Sequence, residues 1–495
     1  MTTTHAPAPP ASVPPSNASA AAPRVGPFPL PRAWTRRSTV VLALGAVAQL
    51  VLFVVAHTPK VRPLEGDENM YWRTAHTLLE GRTPKPTLVW PPLQTWVIAA
   101  SVALFGDSRI PLEIGQALLF LACGVLLRQL VLRVGVSARA ADVALGLFLL
   151  DPQLAAFSTY LWPEVLHLAL VLVALVLLLF EGRGSDAVRT SGAGVCVGLA
   201  LLAKSLFAPL VPAFALVAAL TAKDRAARVQ RAAWFAVGVA AMTVPVIVQH
   251  GTRYGVWTIA DSGTLNAYVG LNDPSARRDY TSADGPALRE YLHMPLTKRN
   301  GVLRERIVQK LRDDGVGTVF VHQLEKQYAH LFDRTSFFTD QLPGGRWSHH
   351  APADLRGDLL GTWADVAYAL NLVLAAFGLC FVDWRRDRRT LALPALFVAY
   401  QLALFLVLHV VTRYRFPILP ALIAFSAVAV DRAPAAWHRG ITERLRLAAS
   451  TLLAAGALAL AFWPVTPQRP GRGHHDAPGA ASPQDDHPAD DADWP

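Results

Sequence analysis

Charged residues are scarce in this chain of 495 residues. Asp, Glu, Lys and Arg make up only 17% of the sequence, whereas 53% is hydrophobic and the mean hydropathy is +0.32. Soluble domains carry about 25% charged residues, and several apolar runs here approach the ~20 residues that span a bilayer. The composition therefore excludes an ordinary soluble domain and predicts a polytopic membrane protein.

Cysteine is also rare, and the three that occur, Cys123, Cys196 and Cys380, each lie inside an apolar segment. Their spacing indicates neither a metal site nor a disulfide framework, so packing roles are predicted. The net charge of +10 does not indicate nucleic-acid binding, because the Arg residues cluster in short loops between apolar runs, as topology determinants do.

The sequence does not predict a cleavable secretory signal. The first apolar run, residues 38–56, is long and follows Arg36 and Arg37, so it is interpreted as an uncleaved first span. The two ends of the chain, residues 1–37 and 465–495, lack a periodic apolar pattern and are predicted to be disordered tails.

The apolar runs predict an all-α fold, a polytopic transmembrane bundle of about 11 spans. Basic residues collect in every second loop, which predicts a cytoplasmic amino terminus and an outer carboxyl terminus in the cytoplasmic (inner) membrane. The predicted spans lie near residues 38–56, 111–132, 141–157, 163–180, 191–203, 206–221, 232–249, 361–382, 390–409, 416–431 and 447–464. The predicted organisation is a tail (1–37), an N-terminal transmembrane catalytic module (38–249), an external loop region (250–360), C-terminal transmembrane helices (361–464) and a tail (465–495).

Two outer segments are long enough to hold structure of their own. The first outer loop contains amphipathic or short apolar patterns over residues 67–81 and 90–105, which predict interfacial helices. The external region contains polar helical patterns near residues 298–313 and 316–331. A small external helical region is therefore expected.

Ionisable residues cluster where the predicted spans meet the outer face. Such groups are costly near membrane depth and usually line a polar cavity. Adjacent carboxylates, as in the Gly-Asp-Glu sequence of the first outer loop, suggest chemistry at the membrane surface. The candidate site residues are Asp67, Glu68, Arg109, Glu164, Lys204, Arg413, Tyr414 and Arg415.

Structural alternatives exist for most of these candidates. Asp67 is equally suited to cap the helix that follows it. Glu164 suits the positive end of its own helix, and Lys204 suits a turn at the membrane interface. Arg413 and Arg415 suit the anchoring of lipid head groups.

Several stretches resemble the C-type membrane glycosyltransferases (GT-C), especially bacterial protein O-mannosyltransferases and the aminoarabinose transferases that act on lipid A. Each stretch is short, but their order along residues 38–464 makes the combination specific. The stretches are Gly66–Tyr71, Trp90–Leu93, Leu104–Arg109, Trp162–Glu164, Gly198–Lys204, Trp257–Pro274 and Arg413–Pro420.

The resemblance implies inverting transfer of a hexosyl or pentosyl group from a polyprenyl-phosphate donor to a lipid, glycan or protein acceptor at the outer membrane face. It implies a carboxylate general base, for which Asp67 is the candidate and Glu68 the open alternative. It further implies Glu68 beside Asp67 for acceptor or sugar contacts, and Glu164 facing Asp67 across the cavity. Family members usually have Asp at the position of Glu164. The residues implied to bind the donor phosphate are Arg109, Lys204, Arg413, Tyr414 and Arg415.

This chemistry requires no cofactor, because cationic side chains can neutralise a phosphate leaving group, although paired carboxylates could still recruit a divalent cation. The expected partners are the donor, the acceptor and membrane lipids, without nucleic acid. A transporter or lipid flippase is the main alternative. It should contain internal repeats and a polar path through the whole bilayer, and no clear repeat is found. A non-catalytic scaffold would not need the charged cluster.

Overall fold

The computed structural model is helical, and helices account for 83% of the residues that it describes, with no strand among them. The described residues are 34–58, 62–64, 66–82, 87–180, 185–222, 224–272, 289–336, 338–339, 354–410, 412–436 and 440–462. Nearly all of both predicted tails therefore lies outside the described residues.

Helices follow one another along the described part of the chain. They are α1 (Arg36–His57), α2 (Asp67–Leu79), α3 (Leu93–Phe105), α4 (Ile110–Arg133), α5 (Ala138–Leu149), α6 (Pro152–Ala155), α7 (Glu164–Leu179), α8 (Asp186–Ala203), α9 (Val211–Leu220), α10 (Arg225–Tyr254), α11 (Ser262–Asn272), α12 (Leu296–Asp313), α13 (Val316–Phe332), α14 (Leu355–Phe381), α15 (Trp384–Leu404), α16 (Ile418–Ala436) and α17 (Ile441–Phe462). Three 3₁₀ turns occur at Ala156–Thr159, Ser205–Leu210 and Thr412–Arg415.

Several of these helices can cross a membrane, so the chain is a multi-pass membrane protein. Within the described residues, seven are long and apolar enough, namely α1, α4, α8, α10, α14, α16 and α17, and the bent pair of α5 with α6 brings the number to eight. The helical runs 164–179, 205–220 and 390–404 coincide with further predicted spans but have only 10–17 residues. The count of eleven spans therefore stays a prediction.

Helices are confirmed in four segments that the sequence predicts between the apolar spans. The predicted first outer loop contains α2 and α3, and the predicted external region contains α12 and α13, each beginning within three residues of its predicted start. Their location relative to the membrane stays a prediction. The helix α12 has an apolar side that packs inward around the buried Leu303, and its other side is largely polar apart from the exposed Val308.

Small residues bring α8 and α10 into close contact. A Cβ on Gly194 would lie 2.1 Å from the carbonyl oxygen of Phe235, and a Cβ on Gly238 would lie 2.1 Å from that of Ser191. Membrane helices commonly associate through such small residues, because the backbones can then approach closely. This contact fixes α8, whose carboxyl end is capped by Lys204.

A buried polar contact joins the amino-terminal and carboxyl-terminal helices. The axes of α5 and α6 differ by 57°, and Asp151 stands at the bend, where its side chain accepts hydrogen bonds from the backbone NH groups of Gln153 and Leu154. Its other oxygen accepts a hydrogen bond of 2.9 Å from Asn371 of α14. Asp151 therefore caps the start of α6.

Candidate active site

A polar cavity of about 160 Å³ lies where the first outer loop meets the ends of several helices. Its wall comes from the start of α2, residues 89–91, the start of α7, the turn after α8, the helix α11 and the segment between α15 and α16. The charged, polar and aromatic side chains that line it are Asp67, Tyr71, Trp90, Glu164, His167, Lys204, Ser205, Phe207, Ser262, Asn266, Gln401, Phe405, Arg413 and Tyr414.

Asp67 is the first residue of α2, and it does not cap the helix. The N-cap position belongs to Gly66, which has a φ of +55°, and the cap forms no side-chain hydrogen bond. The interpretation of Asp67 as an N-cap is therefore wrong. Its carboxylate lies at the positive end of the helix dipole and accepts a hydrogen bond of 2.5 Å from Arg413 Nη2.

Glu164 and Lys204 form the second ion pair of the cavity. Glu164 is the first residue of α7 and is only 3% exposed, and its Oε1 lies 2.8 Å from Lys204 Nζ. Its Oε2 is buried and has no hydrogen-bond partner among the described residues. An unsatisfied buried carboxylate oxygen is costly, so this atom is suited to accept a hydrogen bond from a bound molecule.

Aromatic rings support the two cations. The guanidinium carbon of Arg413 lies 4.9 Å from the ring centroid of Trp162 and 5.4 Å from that of Tyr414. Lys204 Nζ lies 6.0 Å from the ring centroid of Tyr414. Cation–π contacts of this kind hold a cation in place while leaving its N–H groups able to bind an anion.

Two phenol groups in the cavity remain protonated at neutral pH. Burial is the main cause that raises the pKa of Tyr71, and the negative charges of Asp67 and Glu164 raise it further. Burial also raises the pKa of Tyr414, partly opposed by Arg413. Both hydroxyl groups are therefore available as neutral hydrogen-bond donors toward an anionic or sugar ligand.

Five of the eight predicted site residues line this cavity, and the structure places the other three elsewhere: Glu68, Arg109 and Arg415. Glu68 is fully buried and accepts hydrogen bonds of 2.7 and 2.8 Å from the guanidinium of Arg62 and one of 2.7 Å from the backbone NH of Leu161. Adjacent residues of a helix point about 100° apart, which is why Asp67 reaches the cavity and Glu68 does not.

Arg109 and Arg415 are held in structural contacts. Arg109 Nε lies 3.1 Å from Glu113 Oε1, and its Nη2 donates to the carbonyl oxygen of Arg62. Arg415 is 4% exposed and donates to the carbonyl oxygen of Asp333 and to Gln153 Oε1. The contacts of Arg415 join the external region to α6, away from the cavity.

No group of three or more His, Cys, Asp or Glu side chains that could hold a metal ion occurs within the described part of the chain. The two cavity carboxylates each face a cation instead, namely Asp67 with Arg413 and Glu164 with Lys204.

Several cavity residues were not assigned from the sequence. Tyr71 and Trp90 belong to stretches that resemble C-type glycosyltransferases, so both could have been identified as candidates from the sequence. His167 follows Glu164 by three residues and therefore shares its helix face. Gln401 is a polar residue inside an apolar run, which is also a usable signal.

A second cavity, almost wholly apolar and about 90 Å³ in volume, adjoins the polar one. It lies between α4, α7, α9, α15 and α16, and extends along α7 as far as Leu179. His167 and Pro417 line both cavities. The two cavities therefore share part of their walls.

Residues 89–249 match the family model of the dolichyl-phosphate-mannose-protein mannosyltransferases. The match confirms the resemblance to C-type glycosyltransferases over this segment, which contains Glu164 and Lys204. The chain has no match among curated proteins.

Three of the solved structures that are similar to this chain come from two organisms. They are the oligosaccharyltransferase AglB from Archaeoglobus fulgidus in complex with an inhibitory peptide and a dolichol-phosphate (17% identity, TM-score 0.48, 86% of this chain and 55% of that chain), the apo oligosaccharyltransferase of the same organism (16%, 0.45, 88% and 55%), and ArnT from Cupriavidus metallidurans bound to undecaprenyl phosphate (14%, 0.37, 86% and 88%). This chain thus spans 55% of the length of the archaeal chains.

Proposed function

We propose that this protein transfers a sugar from a polyprenyl-phosphate donor to a lipid, glycan or protein acceptor at the outer face of the cytoplasmic membrane. One observation carries the proposal: two carboxylates and two cations, each carboxylate paired with a cation, line a single cavity, and two of these four residues lie in the segment that matches a family of dolichyl-phosphate-mannose-dependent transferases.

Arg413 and Lys204 are proposed to bind the donor phosphate. A phosphate oxygen competes with Asp67 for Arg413 Nη2, and another competes with Glu164 for Lys204 Nζ. The same cations then stabilise the negative charge that grows on the phosphate as the glycosidic bond breaks. Tyr71 and Tyr414 supply neutral O–H donors to the same site.

Asp67 is proposed as the general base. Donor binding frees its carboxylate from Arg413, and the carboxylate then takes the proton of the acceptor hydroxyl. The hydroxyl oxygen attacks the anomeric carbon from the face opposite the phosphate, and the electron pair of the broken C–O bond leaves with the polyprenyl phosphate. A single displacement of this kind inverts the anomeric configuration. Glu164 Oε2 is proposed to accept a hydrogen bond from a sugar hydroxyl.

The adjoining apolar cavity gives the donor lipid a place within the membrane. A prenyl chain can lie between α4, α7 and α16 while its phosphate passes His167 and Pro417 into the polar cavity. Since the tail leaves one apolar surrounding for another, only its packing in the cavity, and not its removal from water, contributes to donor binding.

The orientation of the chain is proposed together with this function, with the amino terminus in the cytoplasm and residues 250–360 outside. The cavity also draws on α11 and on residues 401–417, so the proposed site is not confined to the predicted catalytic module of residues 38–249.

Transfer of radiolabelled sugar from a panel of polyprenyl-phosphate hexoses and pentoses into membrane acceptors tests the proposal. The native chain, Asp67→Asn and the control Asp107→Asn are compared in nanodiscs at equal protein amounts. Asp107 is a suitable control because its carboxylate is 74% exposed and does not line the cavity. Incorporation that is lost only in Asp67→Asn supports a transferase. Movement of labelled lipid across the bilayer of sealed proteoliposomes, without any transfer in the nanodiscs, contradicts it and supports a flippase.

A further inference from the structure

A buried ion pair lies directly behind one wall of the polar cavity. Arg299, in α12, is 1% exposed, and its Nε and Nη2 donate to the two carboxylate oxygens of Asp261 at 3.0 and 2.7 Å. Breaking such a buried pair is costly because it leaves one charge uncompensated. The two hydrogen bonds fix the direction of the guanidinium as well as its distance from the carboxylate, and a Lys side chain cannot reproduce this geometry.

The pair also holds the backbone of the first outer loop. Arg299 Nη2 donates to the carbonyl oxygen of Thr87, and the backbone NH of Asp261 donates to the carbonyl oxygen of Leu88 at 2.8 Å. Leu88 has a φ of +50° and is the one non-glycine residue with a positive φ in the described ranges. A leucine in this conformation is strained, and it persists only where surrounding contacts enforce it.

Neighbouring side chains complete the enclosure of the pair. The Tyr291 hydroxyl donates to the carbonyl oxygen of Asp261 at 3.1 Å, and Asn300 Nδ2 donates to the Asp261 carboxylate at 3.2 Å. The guanidinium carbon of Arg299 lies 4.3 Å from the ring centroid of Tyr291. Asp261 is therefore held by three side chains, two at its carboxylate and one at its backbone carbonyl.

Both segments that the pair holds continue directly into the cavity wall. Val89 and Trp90 follow Leu88, and Ser262, Leu265 and Asn266 follow Asp261, and all five line the polar cavity. The residues around the apolar cavity come from other segments, namely α4, α7, α9, α15, α16 and Pro417. The wall in front of the Asp261–Arg299 pair therefore faces the reacting groups. It does not face the apolar cavity, which is the space available to a lipid tail.

We propose that Asp261 and Arg299 are a positioning pair that sets the place of residues 89–90 and 262–266 and thereby the binding of the acceptor in the polar cavity. The identity of the acceptor in this inference rests on the proposed function. The position of residues 89–90 and 262–266 does not depend on it. A displaced wall weakens acceptor binding, whereas it leaves Asp67, Arg413 and Lys204 in place.

Kinetics of Arg299→Lys and Asp261→Asn test the pair, with Arg306→Lys as the matched control. Arg306 lies on the same helix and also forms a pair with a carboxylate, Glu290, at 2.6 Å, but the two side chains are 39% and 49% exposed. Arg299→Lys and Asp261→Asn should raise the acceptor KM about tenfold, with kcat within about threefold of native and donor KM unchanged. Arg306→Lys should change none of these. A fall in kcat at unchanged acceptor KM overturns the proposal.

A labelling experiment measures the accessibility of the cavity wall and does not depend on enzymatic activity. The native Cys123, Cys196 and Cys380 are replaced by Ala in the full chain, and Ser262→Cys is introduced as a reporter. The rate of reaction with a membrane-impermeant maleimide should rise at least threefold in Arg299→Lys and stay unchanged in Arg306→Lys. Equal rates in both overturn the positioning role even if no transfer activity is found. A changed rate without transfer activity supports the geometry and removes only the proposed function.

Discussion

Replacement of Asp67 by Asn should separate chemistry from folding. The Asn side chain keeps an oxygen that can accept the hydrogen bond from Arg413, but it cannot take a proton. Loss of a general base costs about 10²- to 10⁴-fold in rate, which corresponds to about 3–5 kcal/mol in activation free energy. The Asp67 and Arg413 side chains are 21% and 14% exposed, so loss of the charge should lower the free energy of unfolding by only about 1 kcal/mol.

Replacement of the adjacent Glu68 by Gln should instead lower the stability of the fold and leave the chemical step largely intact. Its carboxylate is fully buried and is the counterion of Arg62, which is itself 9% exposed. Burial lowers the pKa of Arg62, but hydrogen bonds and charge from Glu68 more than offset this and raise it above its ordinary value. Without the carboxylate a buried guanidinium is left uncompensated, which costs about 3–5 kcal/mol in the free energy of unfolding.

The assay measures kcat and thermal stability for both variants in the same nanodiscs. We expect Asp67→Asn to retain near-native thermal stability with kcat reduced at least 100-fold. We expect Glu68→Gln to lose thermal stability while its folded fraction keeps kcat within about tenfold of native. Near-native kcat in Asp67→Asn, together with a large loss in stable Glu68→Gln, would refute the assignment and make Glu68 the base.

Three further predictions concern other groups. Arg413→Lys should raise the donor KM about tenfold, because a Lys cannot contact Asp67 and a phosphate as a guanidinium does; an unchanged donor KM in transfer kinetics contradicts this. Arg415→Met should lower the free energy of unfolding by about 3 kcal/mol in thermal melts with little change in donor KM, since it leaves buried carbonyl acceptors unpaired, and a selective rise in donor KM would instead place Arg415 at the phosphate. The pKa of His76 is raised above 6.5, chiefly by its hydrogen bond to a backbone carbonyl and also by Asp107. The stabilisation from protonated His76 should thus be complete below pH 6.5 and lost as pH rises through the folded pKa. NMR titration should show a lower His76 pKa in Asp107→Asn, and an unchanged value would exclude the contact.

Features that depend on local pattern could be predicted from the sequence. The polar helices near residues 298–313 and 316–331 were recognisable because apolar positions recurred at helical spacing, and Leu296–Asp313 and Val316–Phe332 are helical. The number of membrane spans could not be predicted from the sequence in the same way. Residues 164–179 and 390–404 are apolar but short, and hydropathy alone does not say whether a short helix crosses the bilayer.

The composition of the candidate site required information beyond local pattern. Asp67 and Arg413 are 346 positions apart, and no periodicity connects them; the resemblance to a family brought them together as candidates. Arg413 and Arg415 could not be distinguished, because they lie in one 3₁₀ turn. Two positions there correspond to a rotation of about 240°, so that one faces the cavity and the other faces the core. Which one does so is decided by tertiary packing.

The contact between Asp67 and Arg413 has a consequence for how the protein is made. The ribosome supplies Asp67 early, and Arg413 emerges only after α1 to α15 have been synthesised. The close contact between α8 and α10, which joins helices from neighbouring parts of the chain, can form before that point. In the nascent chain Lys204 can therefore be held in place before Arg413, the second cation of the cavity, has been synthesised. Completion of the anion site coincides with insertion of the last helices, so a chain arrested before residue 413 cannot assemble the proposed site.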